Sequence, residues 1–438
     1  MKKKYVRWTL WTIASPFILF IILCILIYLP PIQNFLVDKA AVYASEATGM
    51  NISVGRISLS FPLNLVVTDV DAASPHNDTL LSVRRLQVNV QLLPLLKKQV
   101  EVDGISLQGA TVNSNDLIHG MKLNGTLGEL FISSHGVALD PETAIVNKVL
   151  LKDTDLSLCL NDTAAADTAA SDTTYWKIIL QDIDLQNVSF ALDMPLDSLS
   201  LAASLDNAIL RDGLIDLHKS AYSLQTFRIE NGRVRYDNGK PLAADSLSSG
   251  LDPSHIALTD IGVKLDSLYY GGRNMKAIIS QFVLKERSGV EIVSATGRMV
   301  SNDKVLRVPS LKLETRDSYL ELNAAMDWNA LDFKGEGLVS ARLMADIGKP
   351  DVVRFMGSMD EKFIRQYPSE PLRIRTGIDG DLNKLKLTTL TAELPGALGL
   401  FARGELTHLT DSLLRGGDIT LEAETKDLKF VSTLAEGI

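Results

Sequence analysis

The hydrophobic period of this chain changes twice. Residues 8–29, WTLWTIASPFILFIILCILIYL, run for 22 positions without a charge. At ~1.5 Å of rise per residue a helix of that length reaches about 33 Å, enough to cross a ~30 Å hydrocarbon core. Trp8, Trp11, Pro16 and Tyr28 belong to this expected anchor, and Pro16 is tolerable inside a span whose neighbours can satisfy the freed carbonyl. Residues 30–49 then read as an amphipathic helix, with Pro31 suited to its start and Gly49 to its end. Ile32, Phe35, Leu36, Tyr43 and Ala47 recur at near-helical spacing against Gln33, Asp38, Lys39 and Glu46.

From Asn51 the period becomes two. Ile52 and Val54 alternate, the phase shifts at Gly55-Arg56, and Ile57, Leu59 and Phe61 resume, which suggests a bulge. Leu86, Val88, Val90 and Leu92 alternate with Gln87, Asn89 and Gln91; residues 92–99 make a short apolar turn; Val100, Val102, Ile105 and Leu107 open the next strand. Short alternating runs bounded by Gly, Asn, Asp and Pro continue to the end, as an antiparallel sheet requires. The pattern apolar-x-(Gly/Asp/Asn)-small-x-apolar recurs as LQGATV from Leu107, LKDTDL from Leu151, LQNVSF from Leu185 and IENGRV from Ile229, at intervals of 44, 34 and 44 residues. In each copy the apolar phase shifts once, through a two-residue hairpin or a bulge; both keep the apolar side chains on one face. Repeats of this size point to a stacked, elongated architecture.

Two segments break the pattern. Residues 162–174, DTAAADTAASDTT, are polar, small and low in complexity. Residues 351–366 carry Val352, Val353, Phe355, Met356, Met359, Phe363 and Ile364 at helical spacing, ended by Pro368 and Pro371. They predict a helical insertion lying on the sheet. The last residues follow another strand-like run, as though the β-region of residues 50–438 continued beyond them.

Charge fixes orientation. Lys2, Lys3, Lys4 and Arg7 precede the uncharged run, so residues 1–7 are expected in the cytoplasm and everything after Tyr28 across the membrane. The run exceeds a signal-peptide core, and its exit reads Leu29-Pro30-Pro31-Ile32, with no small-residue cleavage site. Cys24 follows Ile22-Leu23, too bulky for lipidation. The net charge of −9 argues against nucleic acid and against polybasic attachment to anionic lipid. Beyond the span only Cys159 remains, so no exported intrachain disulfide can form.

Catalytic and metal patterns are lacking. His76, His119, His135, His218, His255 and His408 are scattered, and no nucleophile elbow, phosphate loop or zinc motif occurs. Asp69/Asp71, Asp153/Asp155 and Asp182/Asp184 are the best acidic pairs, but a solvated strand face explains them without calcium or acid chemistry. No enzyme activity, cofactor or metal is therefore expected. What needs explanation is the apolar face: many alternating strands and one convincing helix to cover them. The sheets pack as sandwiches, close as a barrel, or curl into an open apolar-lined trough. A lining of Leu, Ile and Val with few aromatics favours the trough, and acyl chains are its natural occupant. Leu86, Val88, Val90, Leu107, Val112, Leu185, Phe190, Ile229 and Val234 should line it, with Gln87, Asn89, Gln108, Gln186 and Glu230 pointing outward.

The order of a cationic N-terminus, one span, Leu29-Pro30-Pro31 with IQNFL, then GMNISVGRISLSFPLNLVVTDV and VRRLQVNVQLLPLLKKQVEVDGISLQGATV, resembles the AsmA-like superfamily. It is most similar to the N-terminal region of the TamB (translocation and assembly module) branch of Bacteroidota. The stretch 49–112 carries the likeness most specifically; the later repeats are generic to the superfamily. The resemblance implies a single-pass inner-membrane protein with a periplasmic β-rich trough, moving phospholipid in outer-membrane biogenesis or assembling outer-membrane proteins. It implies an Omp85-type partner, met through a C-terminal domain that this sequence does not contain. It supplies no catalytic residues. A scaffold that offers sheet edges to nascent outer-membrane proteins is the competing reading. The span should remain uncleaved: Edman degradation or peptide mapping should recover Met1-proximal peptides, and a mature N-terminus near residue 30 would contradict the anchor.

Overall fold

A computed structural model describes residues 39, 41–42, 45–46, 48–60, 64–74, 78–91, 102–114, 120–138, 142–161, 175–240, 250–332, 337–356 and 361–436. The expected span 8–29, the turn at 92–99, the polar segment 162–174, His76, His119 and Met359 lie outside these residues, as does much of the expected helix at 30–49. Among the described residues no helix is long and apolar enough to cross a membrane. Lys39, Ala41, Val42, Ser45, Glu46 and Thr48 are helical. The Gly49 amide donates to the Ser45 carbonyl at 2.9 Å with φ +69°, a conformation glycine adopts at little cost.

The chain divides into two compact units, Met1–Ala166 and Asp167–Ile438, each mainly antiparallel β-sheet. The first contains β1 (Asn51–Ser60), β2 (Asn64–Ala73), β3 (Thr79–Val90), β4 (Val102–Asn113), β5 (Met121–Ala138) and β6 (Thr143–Leu160), each antiparallel to the next. The second begins with β7 (Lys177–Met194), β8 (Leu199–Asp216), β9 (Ala221–Leu224), β10 (Thr226–Asp237) and β11 (His255–Gly271). β9 and β10 form one line between β8 and β11, interrupted at Gln225, whose amide donates to the Arg211 carbonyl at 3.1 Å. The meander continues through β12 (Asn274–Glu286), β13 (Glu291–Ser301), β14 (Val305–Thr315), β15 (Tyr319–Asp327), β16 (Val339–Ile347), β17 (Leu372–Gly380), β18 (Lys384–Leu394), β19 (Leu398–Thr407) and β20 (Gly416–Thr425).

The repeats are neither hairpins nor simple bulges. All four motifs lie inside single strands, and the third residue of each is left-handed: Gly109 (φ +63°), Asp153 (+50°), Asn187 (+51°) and Asn231 (+53°). Asp69, Asp212 and Asp260 adopt the same conformation (φ +54°, +52° and +52°). Asp, Asn and Gly tolerate this region best, which is why the motif demands them. The bulge expected at Gly55-Arg56 is corrected: Val54↔Val70 and Arg56↔Thr68 keep one register, and the kink belongs to Asp69 opposite Gly55. In the first unit Gly55, Asp69, Arg84, Gly109, Gly128 and Asp153 stand opposite one another, strand by strand. A Cβ on Gly128 would lie 2.8 Å from the Asp153 Cβ, so the row leaves no room for a side chain there. Around Asn231, register holds against β8 but shifts by one and returns against β11.

Some kinks, and the strand positions opposite them, expose two successive polar residues. Arg84 and Arg85 are exposed between buried Val83 and half-buried Leu86; Lys152 and Asp153 are exposed between half-buried Leu151 and buried Thr154. The apolar phase therefore resumes on the side it left.

Three helices close one end of the second unit: α1 (Lys349–Met356), α2 (Glu361–Gln366) and α3 (Leu428–Glu436). The insertion expected at 351–366 is present as α1 and α2, beginning two residues earlier. Phe363, Tyr367, Leu394, Ala397 and Phe430 form the buried cluster between helices and strand ends, with Val352, Leu372, Leu398 and Val431 packed around it. Phe363 stacks on Phe430 with ring centres 5.5 Å apart. If the left-handed positions are structural kinks, Asp212→Val should cost about 1–2 kcal/mol in urea unfolding while Asp212→Gly changes little. Equal effects of the two substitutions would contradict that role.

Candidate functional site

Register assembles the alternating strands into apolar rows. In the first unit Ile57, Val67, Leu86, Leu107, Leu130 and Leu151 are successive cross-strand partners, and so are Leu59, Leu65, Val88, Ile105, Ile132 and Val149. Between them runs a mixed row, Ser58, Val66, Gln87, Ser106, Phe131 and Leu150; beyond them lies a polar one, Arg56, Thr68, Arg85, Gln108, Glu129 and Lys152. Rows two residues apart share a face.

The second unit repeats this at greater length. Leu185, Ala208, Ile229, Val263, Phe282, Ala295, Leu313, Leu320, Ala345, Ile374, Ala392, Leu400 and Ala423 are successive partners from β7 to β20, all 13 apolar. A parallel row runs Ile183, Leu210, Phe227, Leu265, Ile279, Gly297, Leu311, Leu322, Leu343, Thr376, Leu390, Ala402 and Leu421. Bulky side chains flank the alanines, leaving Ala208, Ala295 and Ala345 only 4%, 8% and 1% exposed.

Among the described residues little covers these rows. Packing between strands is almost entirely between sheet neighbours, and most row residues are half-buried. Phe190 and Ile105 retain 38% and 36% of their surface. Among the described residues the large side chains buried to below 2% are Phe430 and Asp351, neither of them in a row. A sandwich would bury its facing rows completely.

The expected lining residues fall into groups. Leu86 faces Leu107, Val88 faces Ile105, Val90 faces Val102, and Val112 faces Leu81. In the second unit Leu185 and Ile229 both flank Ala208, while Phe190 and Val234 both flank Ala203. Of the outward set, Gln87 pairs with Ser106, Asn89 with Gly104 and Gln108 with Arg85; Gln186 and Glu230 both flank Asn207. A further motif copy, LRDGLI from Leu210, escaped the sequence reading because it lies 25 residues after Leu185, off the repeat interval.

One acidic pair is clamped by an arginine, and the other two each contain a kink residue. Arg211 donates to Asp182 and, at 2.9 Å, to Asp184, clamping both carboxylates. Asp69 and Asp153 are kink residues. Among the described residues no group of His, Cys, Asp and Glu could hold a metal. Cys159 is a free, half-buried thiol. His255 is buried, its Nδ1 2.8 Å from Asp252 and its Nε2 3.6 Å from Asp237. The His255 ring and the Ser254 amide hold the Asp252 carboxyl below the usual range. Its contribution to stability is present above the ordinary carboxylate pKa and is lost as pH falls through the lowered one.

Asp351 anchors α1 to the β14–β15 turn. It accepts from the Thr315 hydroxyl, from Ser318 Oγ at 2.6 Å and from Arg354 at 3.1 Å. Asp351→Ala should cost about 3 kcal/mol, since it leaves buried donors unpaired, and should open α1 to limited proteolysis. The half-exposed pair broken by Asp182→Ala should cost about 1 kcal/mol or less. Equal losses in denaturant titrations would refute the anchoring role. No protein-family model matches the chain, and no curated protein matches it.

Proposed function

We propose that this chain is a conduit for phospholipid acyl chains, of the AsmA/TamB type. In this reading it is anchored in the bacterial inner membrane by residues 8–29, with its bulk in the periplasm and its work in outer-membrane biogenesis. The observation that supports it is the uninterrupted apolar row of the second unit. Its 12 inter-strand steps of ~4.8 Å make a path of roughly 58 Å, longer than the ~30 Å hydrocarbon core of a bilayer. A sheet curled about such a path is an apolar-lined trough. Each methylene moved onto it from water contributes ~0.8 kcal/mol, so a dozen methylenes hold a chain by roughly 10 kcal/mol. Because every position along the longer row offers apolar surface, a chain can slide without meeting a polar barrier on it. The role requires no catalytic group and no cofactor.

A scaffold for outer-membrane proteins, working with an Omp85-type partner, is the second reading. The observation favouring it is β20, which among the described residues pairs with β19 alone and exposes all ten of its residues. Such an edge can accept a strand by β-augmentation.

Val88→Asp or Ile229→Asp places a carboxylate in the proposed acyl path at a cost of several kcal/mol. Both should stall outer-membrane lipid supply, and Gln87→Asp should be silent. Normal supply in stably expressed Val88→Asp and Ile229→Asp cells would reject the conduit; failure of both to fold would favour a sealed core instead. Phospholipid identified by mass spectrometry in the purified protein would support the conduit.

A further inference from the structure

The two rims of the second unit's sheet differ in chemistry. At one rim β11 starts, β12 ends, β14 ends and β16 ends, with α1–α3 nearby, and three arginines there are paired. Arg316 meets Glu291 at 2.6 Å, Arg354 meets Asp317 at 2.9 Å, and Arg375 meets Asp346 at 2.7 Å. At the other rim β7 starts, β8 ends, β9 starts, β11 ends and β12 starts. There Tyr175, Tyr222, Tyr269 and Tyr270 are 51%, 40%, 40% and 46% exposed. Trp176 and Trp328, the two tryptophans among the described residues, lie on this rim as well.

The arrangement is ordered by register. Tyr222 and Tyr270 are cross-strand partners whose rings stack at 6.2 Å. Ile178, Ile215, Tyr222, Tyr270 and Met275 form one apolar row just inside the rim. Tyr269 is the partner of Lys276. Lys177, Lys219, Lys276 and Lys304 are exposed and form no ion pair among the described residues. The Arg273 guanidinium lies 5.8 Å from the centre of the Trp328 ring. Carboxylates on this rim are hydrogen-bonded within it: buried Asp216, the cross-strand partner of Lys177, accepts the Lys219 amide at 3.0 Å, exposed Asp303 accepts from Asn274 at 3.0 Å, and Asp327 accepts the Leu338 amide at 3.0 Å.

Tyrosine and tryptophan, with apolar bodies and polar tips, suit the boundary between hydrocarbon and headgroup. Uncompensated lysines beside them suit phosphate. A saccharide would use stacked tyrosines but has no need of the unpaired lysines or of the aliphatic row behind them. We propose that this rim seats on the headgroup layer of a phospholipid bilayer, with Tyr222, Tyr269 and Tyr270 at the hydrocarbon boundary and Lys177, Lys219 and Lys276 on lipid phosphates. The docking is independent of whether lipid moves along the apolar face.

The test is co-flotation of the full chain, held in nanodiscs, with added liposomes of phosphatidylcholine and phosphatidylglycerol at 3:1. Wild-type protein should float with the liposomes. Tyr222→Ser/Tyr269→Ser/Tyr270→Ser should lower the bound fraction at least tenfold, and replacement of the same three by Trp should preserve it. Lys177→Glu/Lys219→Glu/Lys276→Glu should lower binding at least tenfold and abolish its salt dependence. Leu196→Ser/Leu428→Ser, on the other rim, should bind as wild type. Unchanged urea midpoints certify folding; where the tyrosine variant unfolds, the lysine variant decides, because its side chains are exposed. Absence of wild-type flotation, flotation unaffected by the lysine changes, or retention on glycan beads without flotation would overturn the proposal.

Discussion

A strand sends its side chains to alternate faces, so a slip of one residue between any two strands would carry a leucine from the apolar face to the polar one. Everything else in this chain depends on avoiding that slip. The row from Leu185 to Ala423 survives 12 successive pairings, although several of those pairings contain irregularities. Between β12 and β13 the register moves by one between Ile279 and Phe282 and returns by Leu284, so the local extra residue is cancelled before it spreads. The same occurs between β13 and β14 and around Asn231. Not every irregularity is cancelled: β14–β15, β17–β18 and β18–β19 each shift by one, at Val308/Leu311, Gly377/Ile378 and Leu387/Leu390, and keep the new register, yet the apolar row continues across all three.

The left-handed residues serve the same constraint by a different route. In the first unit they interrupt side-chain alternation without altering the pairing, because the kink in β2, β4 or β6 sits opposite Gly55, Arg84 or Gly128, never opposite another kink. Close approach explains the glycines: a Cβ on Gly55 would lie 2.9 Å from that of Asp69. The result is a polar seam two residues wide across a sheet that otherwise alternates singly. Strands as long as β5 to β8, 18 residues each, can thereby keep apolar residues on one face through a local change of direction.

The local features were legible in the sequence. Alternation at Leu86, Val88 and Val90 marked a strand because period two is a property of neighbours along the chain, and the helical spacing of Val352, Phe355 and Phe363 marked α1 and α2 for the same reason. α3 was missed although a signal existed: Asp427 accepts the amides of Lys429 and Phe430 at 3.0 and 3.1 Å as an N-cap. Hairpin and bulge stayed open in the sequence because Asn-Gly in one copy points to a turn, whereas a single left-handed residue inside a strand draws on the same amino acids. The Arg211 clamp on Asp182 and Asp184, and the continuity of the apolar rows, rest on register between distant residues, which no local pattern encodes.

Stability in this architecture does not come from a layered core. The strands are held by their hydrogen-bonded registers, and in the second unit by a compact cluster of Phe363, Tyr367 and Phe430 at one rim, where Asp351 ties α1 to the β14–β15 turn. The apolar rows contribute by packing against their neighbours within the sheet, Ala345 between Leu320 and Ile374 for example, while most other row residues remain half-buried among the described residues. That separation matters physically. A face that must be buried to hold the fold together is unavailable to a ligand, whereas a face whose residues are ordered by backbone register is preorganised and open. Ordering costs for such a surface are met before any apolar molecule arrives, so burial on it counts almost entirely towards binding.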